Sequence, residues 1–293
     1  MNLDYVPLLR VMRELQSIPR GQPPDFDGMK RFRHFVRRIF PRKKNGEIDE
    51  NAVYLIPLLA INPMAKDHVT ALLDAYLAMD ADGIGARAAA EVAARHADVP
   101  GDFKVGLIVA DDLKGAGTNR YEYEFTFRFG PDRTLGSLPK RSRWLKDWWL
   151  TGVLWSSESP SERAVRESIL TAAHRVAYVH QHGPARTLRK MLAQEGQVMA
   201  AAGCSGPTLD AEDIEYTREV LVPYLDADDM RTCIECLFGD APARTLGFTP
   251  CGLSPWAGLA LALHDARPNK ALQPTGPARR RSKGRHLLGR PGG

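Results

Sequence analysis

The sequence predicts an α+β protein that is mostly helical and carries a small antiparallel sheet of about three strands in the middle of the chain. Apolar residues recur at three- and four-residue steps in residues 1–98 and again in residues 160–266, which is typical of amphipathic helices. In residues 103–157 the apolar spacing changes to every second residue, which is typical of strands with one buried face. The order helices, sheet, helices favours α+β over an alternating parallel α/β fold.

Both helical blocks are predicted to belong to one globular domain, residues 1–268. No long Pro-, Gly- or Ser-rich linker separates them, so both could pack on the same sheet. Two separate helical domains are the alternative that the sequence leaves open.

Helical spacing dominates the first block. The stretch MNLDYVPLLRVMRELQ breaks its apolar run with charged residues, so it predicts an amphipathic helix rather than a secretory signal. A second helix is predicted over Met29–Phe40, before Pro41. Asn62 followed by Pro63 is a favourable helix start, and a further helix is predicted to begin at Asp82.

Three strands are predicted in the middle of the chain. The first two are FKVGLIVADD over residues 103–112 and RYEYEFTFRF over residues 120–129. In the second, aromatic side chains alternate with polar ones, as on a sheet with one wet face. The connector LKGAGTN contains two glycines and an asparagine, which favours an antiparallel hairpin that turns at residues 111–119. LTGVLWSS, residues 150–157, is the third predicted strand.

Helical spacing returns after Pro160. The longest predicted helix begins near a serine cap, either Ser159 or Ser161, and ends at Gly183. Four further helices are predicted in ARTLRKMLAQEGQVMAAAG, LDAEDIEYTREVLVPYL, DADDMRTCIECLFGD and SPWAGLALALHDA.

The net charge of +5 is unevenly distributed. Residues 269–293 contain seven Lys and Arg residues and no acid, so residues 1–268 hold 33 basic and 35 acidic side chains. The basic pI of 9.0 therefore comes from this tail. Because the tail has five glycines, three prolines and few apolar residues, we predict that it is disordered.

The tail begins with NKALQPTGPA, residues 269–278. This stretch resembles the peptide obtained when translation reads through the recombination site of an integron gene cassette. The resemblance implies a bacterial, horizontally mobile gene and a folded protein that ends near Ala266. The tail would then be a by-product of the recombination site. The resemblance is confined to this stretch and implies nothing about what residues 1–268 do.

A second positive cluster, the basic segment, covers residues 29–44. Its eight cations are Lys30, Arg31, Arg33, Arg37, Arg38, Arg42, Lys43 and Lys44, and no acid interrupts them. The rest of residues 1–268 therefore has a surplus of ten acidic side chains. Such a basic helix predicts binding of an acidic protein partner or of nucleic-acid phosphates. Pairing with the chain's own acids is the alternative, and the polar side lacks aromatic residues that would stack on bases.

All four cysteines, Cys204, Cys233, Cys236 and Cys251, lie in the last third of the chain. Cys233 and Cys236 have the spacing of zinc ligands, and Cys204 or His264 could complete a site. However, a second closely spaced pair is missing, and the existing pair lies in a predicted helix. The cysteines are therefore interpreted as small apolar residues. We predict no cofactor and keep zinc as the alternative.

No sequence motif names a reaction. The Gly-x-Ser-x-Gly elbow, the Walker phosphate loop and His-Glu-x-x-His are all missing from the sequence. His174, His180 and His182 lack the spacing of metal ligands on a helix and are interpreted as favourable charges near a helix C-terminus. Asp111 and Asp112, at the end of a predicted strand, are the preferred catalytic carboxylates. Solvated acids in a turn are the alternative.

Three functions remain open from the sequence. The first is a soluble bacterial binding protein that uses the basic segment toward an acidic partner. The second is a nucleic-acid-associated protein that uses the same segment, and the third is an enzyme of unknown reaction with a site near residues 111–119. A cytoplasmic location is expected, because no apolar stretch approaches the ~20 residues that span a bilayer. The oligomeric state is open.

Overall fold

The computed structural model describes residues 1–16, 67–113, 119–135, 148–245, 247 and 249–267. The basic segment and the tail lie outside the described residues. The strands are β1 (Asn2–Tyr5), β2 (Asp102–Ala110) and β3 (Trp148–Trp155). The helices are α1 (Leu9–Gln16), α2 (Asp67–Ala78), α3 (Ala81–Arg95), α4 (Arg120–Leu135), α5 (Glu162–His182), α6 (Leu188–Ala201), α7 (Ala211–Leu221), α8 (Met230–Phe238), α9 (Asp240–Thr245) and α10 (Ala257–Ala266). A short 3₁₀ turn, Val222–Tyr224, follows α7.

The described strands form one sheet in the order β1-β2-β3, and both pairings are parallel. In the register, Tyr5 lies beside Val105, and Ala110 lies beside Trp155. The prediction of an antiparallel sheet is therefore wrong, whereas the described chain is mostly helical with three strands, as expected. Parallel neighbours need a long crossover connection, and α4 lies in the connection between β2 and β3.

The error lies in the segment RYEYEFTFRF, which is predicted as a strand and forms the first part of α4. The side-chain oxygen of Asn119 accepts hydrogen bonds from the backbone N–H groups of Tyr121 and Glu122, at 3.1 and 3.3 Å, and so caps the helix. Phe125 and Phe129, four residues apart, are the buried positions. Aromatic alternation is compatible with either structure, so the cap and the four-residue step select the helix.

The amino end also differs from the prediction. Asn2–Tyr5 form the edge strand β1, and the helix begins only at Leu9. Pro7 disfavours helical backbone at Val6, and the Val6 N–H instead donates to the Val105 carbonyl at 2.8 Å. The chain therefore continues the parallel ladder before it turns into α1.

Both predicted ends of the longest helix in the second block are confirmed, with Ser161 rather than Ser159 as the cap. The Ser161 side chain caps α5 by accepting from the Ala164 N–H at 3.1 Å, and α5 ends at Gly183, whose φ is 73°. Asp210 and Asp229 cap α7 and α8 in the same way as Ser161. The Cys-x-x-Cys pair lies within α8, as predicted.

One cluster of buried apolar side chains joins the sheet to both helical blocks, from Met1 to Leu263. Helix α3 packs on β1 and β2, while α5 packs on β3. At Gly196, α6 approaches α10 so closely that an added Cβ would lie 2.3 Å from the Ala262 carbonyl oxygen. Both helical blocks thus contact the sheet and hold its strand ends in place. The domain boundary at residue 268 stays a prediction.

Candidate active site at the carboxyl edge of the sheet

Polar side chains collect where β2 and β3 end. Asp111 and Asp112 follow β2, and Ser156, Ser157 and Glu158 follow β3. Because the sheet is parallel, both strand ends lie at one edge, which is where open α/β sheets bind ligands. Asp111 and Asp112 lie at the end of a strand, as predicted. However, their neighbour is the end of the parallel strand β3, and not the turn of a hairpin.

Asp111 is a buried hydrogen-bond acceptor, 1% exposed. Its Oδ1 accepts from His68 Nε2 at 2.9 Å and from Ser156 Oγ at 2.8 Å. The Leu113 N–H lies 3.3 Å from the same oxygen. A buried carboxylate needs such donors, because isolated burial of its charge is unfavourable. The three contacts fix the direction in which the carboxylate faces.

His68 is the second residue of α2, and its side chain is 38% exposed. Its partner is the strand-end carboxylate, 43 residues later in the sequence. A carboxylate can only accept, so Nε2 carries the hydrogen, and Nδ1 of the neutral ring is the basic nitrogen. The hydrogen bond to the buried Asp111 therefore fixes the tautomer and the orientation of the His68 ring, while part of the ring stays exposed to solvent.

Asp112 is bound by the turn after β3 and by α4. It accepts from the Ser157 N–H at 2.9 Å and from Ser157 Oγ at 2.6 Å. Arg120 Nη1 lies 3.3 Å from its second oxygen. The Ser156 hydroxyl lies between the two aspartates, 3.1 Å from Asp112 Oδ1. These bonds join the ends of the two strands into one unit.

Arg120, the first residue of α4, lies between two indole rings. Its guanidinium carbon is 5.1 Å from the Trp155 ring centre and 4.9 Å from that of Trp256, distances at which cation–π attraction acts. Its amino groups contact Asp112 and Glu158. Trp256 has a left-handed backbone, with φ of 62°, which is uncommon for a bulky residue. The Trp256 backbone is thus held in an unfavourable φ/ψ region in the conformation in which the Trp256 ring contacts Arg120.

A buried ionic cluster lies behind Arg120. Glu124 accepts from Trp155 Nε1 at 2.7 Å and from Arg128 Nη2 at 2.9 Å. Arg128 also contacts Glu195, which is fully buried and accepts from Arg175 Nε at 2.8 Å. Burial alone would raise the pKa of Glu195, but Arg175 and Arg128 outweigh it and lower that pKa to about 2. Glu195 is therefore ionised at neutral pH.

A buried hydroxyl lies on the same helix as His68. The side chain of Tyr76 is fully buried, and its oxygen has no hydrogen-bond partner among the described residues. Burial and then the negative charge of Glu158 raise the pKa of Tyr76 to about 12. Buried hydroxyls without partners are rare in folded proteins, so this one marks a position where a polar atom from outside the described residues would be favourable.

The structure separates the four cysteines. Cys233 and Cys236 lie on α8, and Cys251 lies near them, with its thiol donating to Glu235 Oε1 at 2.9 Å. Cys204 instead lies beside the buried ionic cluster, where burial and then Glu167 raise the pKa of its thiol to about 12. Burial likewise raises the pKa of Cys236 and takes that of Cys251 to about 11. The thiols of Cys204, Cys236 and Cys251 are thus protonated at neutral pH. No group of three or more metal-binding side chains occurs within the described ranges.

His174 does not lie at a helix end, in contrast to its interpretation from sequence. It is buried within α5, where its Nδ1 lies 2.8 Å from His96 Nε2, whereas His180 and His182 lie in the last turn as predicted.

The basic segment, which holds all eight predicted binding cations, is outside the described residues. No helix that the structure describes is long and apolar enough to cross a membrane.

Comparison of the chain with protein-family models, curated proteins and solved structures finds no match. Its function is therefore argued from the geometry of the strand ends. Of the residues there, the sequence pointed to Asp111 and Asp112 only. His68 and Arg120 were missed. His68 approaches Asp111 because of where α2 packs, and Arg120 begins a helix that the sequence pattern predicted as a strand.

Proposed function

We propose that this protein is an enzyme that acts on a small polar molecule at the carboxyl edge of its sheet, with His68 as general acid and base. The observation that carries the proposal is the contact between the half-exposed ring of His68 and the buried carboxylate of Asp111, 2.9 Å apart. A base whose tautomer and direction are fixed by a buried carboxylate is a recurrent arrangement in catalysis.

The chemistry supported is proton transfer. With Nε2–H bound to Asp111, Nδ1 of His68 can take a proton from a substrate or from water, and the resulting cation is stabilised by the adjacent carboxylate. The nearby Ser156 is not placed as a nucleophile, because its hydroxyl contacts Asp111 rather than the imidazole. The site therefore favours acid–base catalysis without a serine intermediate.

The surroundings favour an uncharged or amine-bearing substrate. Asp112 and Glu158 both contact Arg120, so its positive charge is already neutralised and an anionic substrate would meet carboxylates.

A turnover screen tests the proposal. Polyols, sugars, nucleosides, amino sugars and polyamines are incubated with the protein at neutral pH, and product formation is followed by proton NMR. We expect wild type and the control His264→Gln, an exposed histidine on α10, to convert at least one compound. His68→Gln should lower that rate by about 10²–10⁴-fold, the usual contribution of a general base.

Two results would count against the enzyme proposal. One is a His68→Gln rate equal to that of wild type on a compound that is turned over. The other is lack of conversion of every compound together with no change in tryptophan fluorescence on their addition, since Trp155 and Trp256 flank Arg120.

A second function rests on the charge distribution of the sequence. The eight cations of the basic segment stand on a chain that is otherwise acidic, which favours an acidic protein partner, or nucleic acid as the alternative. The test is retention on heparin and on double-stranded DNA by protein lacking residues 269–293, at rising salt. Binding that is lost when Lys30, Arg31 and Arg33 become Gln supports the proposal, and unchanged binding overturns it.

A further inference from the structure

Two histidines meet between α3, α5 and the edge strand β1. His96 directly follows α3, and His174 lies in the middle of α5. His96 Nε2 and His174 Nδ1 are 2.8 Å apart, and the rings are nearly perpendicular, at 84°. His174 is only 6% exposed, and its Nε2 is buried without a hydrogen-bond partner in the described chain.

This contact admits one hydrogen between the two nitrogens. One ring must donate and the other must accept, so the pair is stable when both rings are neutral or when they share a single added proton. A second added proton places two N–H groups face to face and two like charges in contact. Because His174 is buried, a positive charge on its ring is poorly solvated and therefore unfavourable.

The neighbouring charges do not relieve a doubly protonated pair. Glu91 on α3 is an acid whose charge raises the pKa of His174, but it is held by Arg95 at 2.6 Å and by Arg166 of α5 at 2.7 Å. On the β1 side, the amino group of Met1 donates to the His96 carbonyl at 2.7 Å. Among these described residues, the positive groups Arg95, Arg166 and the Met1 amino group therefore outnumber the Glu91 carboxylate.

We propose that the His96–His174 pair is an acid-sensitive lock that holds the end of α3 against α5 and keeps β1 on the sheet. Double protonation separates the rings and moves His96 away from α5. Helix α3 packs on β1 and β2. Since β1 is the edge strand and, among the described strands, pairs with β2 alone, β1 is the strand that is released, while β2 and β3 stay paired.

The direction of the pH effect follows from the environment of His174. Burial, then His96 and Arg95, lower the pKa of His174 from 6.5 to about 4. A group whose pKa is lower in the folded state stabilises that state above its unfolded value, and this stabilisation is lost as the pH falls from 6.5 toward 4. The lock is thus closed at neutral pH and opens in mild acid.

Hydrogen exchange measured by mass spectrometry between pH 7 and 4, normalised to the intrinsic rates, tests the lock. In wild type, protection of the β1 amides should fall at least tenfold over this range, while protection of β3 should change little. His174→Gln should remove the pH dependence. The control His180→Gln, an exposed histidine on the same helix, should behave like wild type.

A histidine titration followed by NMR gives a result even if His174→Gln does not fold. One ring of the pair should stay neutral in wild type below pH 5, and in His96→Gln the remaining ring of His174 should titrate at a higher pH than in wild type, because His96 lowers the pKa of His174. The lock is overturned if both rings titrate independently near pH 6.5, or if β1 and β3 lose protection together.

Discussion

Removing the charge of Glu195 is expected to destabilise the protein by about 3 kcal/mol at pH 7. The carboxylate is fully buried between Arg128 and Arg175, and its pKa falls from the usual 4.5 to about 2. A change of one in the pKa is worth about 1.4 kcal/mol, so the fall of the Glu195 pKa from 4.5 to about 2 corresponds to roughly 3 to 4 kcal/mol. Glu195→Gln preserves the size of the side chain but leaves Arg128 and Arg175 without this carboxylate.

Urea denaturation at several pH values measures the effect. Because the folded pKa is lowered, the stabilisation is complete above pH 4.5 and is lost as the pH falls through 2. The free-energy difference between wild type and Glu195→Gln should therefore be constant from pH 8 to 5 and shrink below that. The control Glu219→Gln, an exposed residue of α7, should stay within about 0.5 kcal/mol of wild type. A loss under 1 kcal/mol for Glu195→Gln at pH 7 would show that the two arginines do not stabilise the carboxylate as argued.

The other predictions concern hydroxyls, a helix cap and the tail. Tyr76→Phe should leave the free energy of unfolding unchanged or raise it, because the Tyr76 hydroxyl has no partner among the described residues. Tyr5→Phe should lower the free energy of unfolding by about 1 kcal/mol, because the Tyr5 hydroxyl donates to Asp82 at 2.9 Å. Equal losses for the two variants in urea denaturation would contradict this. Asn119→Ala removes the cap of α4 and should cost about 1 kcal/mol, with Asn2→Ala, whose side chain is at the exposed sheet edge, as the smaller comparison. Deletion of residues 269–293 should leave the Tm unchanged by calorimetry, and a fall of several degrees would show that the tail contributes to the folded structure.

The sequence predicted an element of the fold correctly where its local pattern is compatible with only one type of secondary structure. The apolar run of β2 and the Ser161 and Gly183 ends of α5 were predicted correctly, because each signal is local and specific. The segment after Asn119 failed because alternating aromatic residues satisfy a strand and, with a four-residue step, also a helix. This one error also reversed the strand direction, since a hairpin implies antiparallel pairing and a helix permits a parallel crossover.

The site was predictable only in part, for a related reason. Asp111 and Asp112 could be found because they directly follow β2 in the chain. The proximity of His68 to Asp111 depends on where α2 packs, and that of Ser156 depends on the parallel register of β2 and β3. Neither is encoded in a short stretch of sequence, so no local pattern could bring these residues together.

Helix α4 carries Arg120, Glu124 and Arg128 at successive turns of one face. The first contacts the strand ends and the last contacts the buried Glu195. A single residue inserted or deleted between Arg120 and Arg128 would rotate one of these ends by about 100° relative to the other, so only one of the two contacts could be kept. Substitutions along this helix therefore preserve the link between the strand ends and the buried Glu195, whereas a change in its length breaks that link.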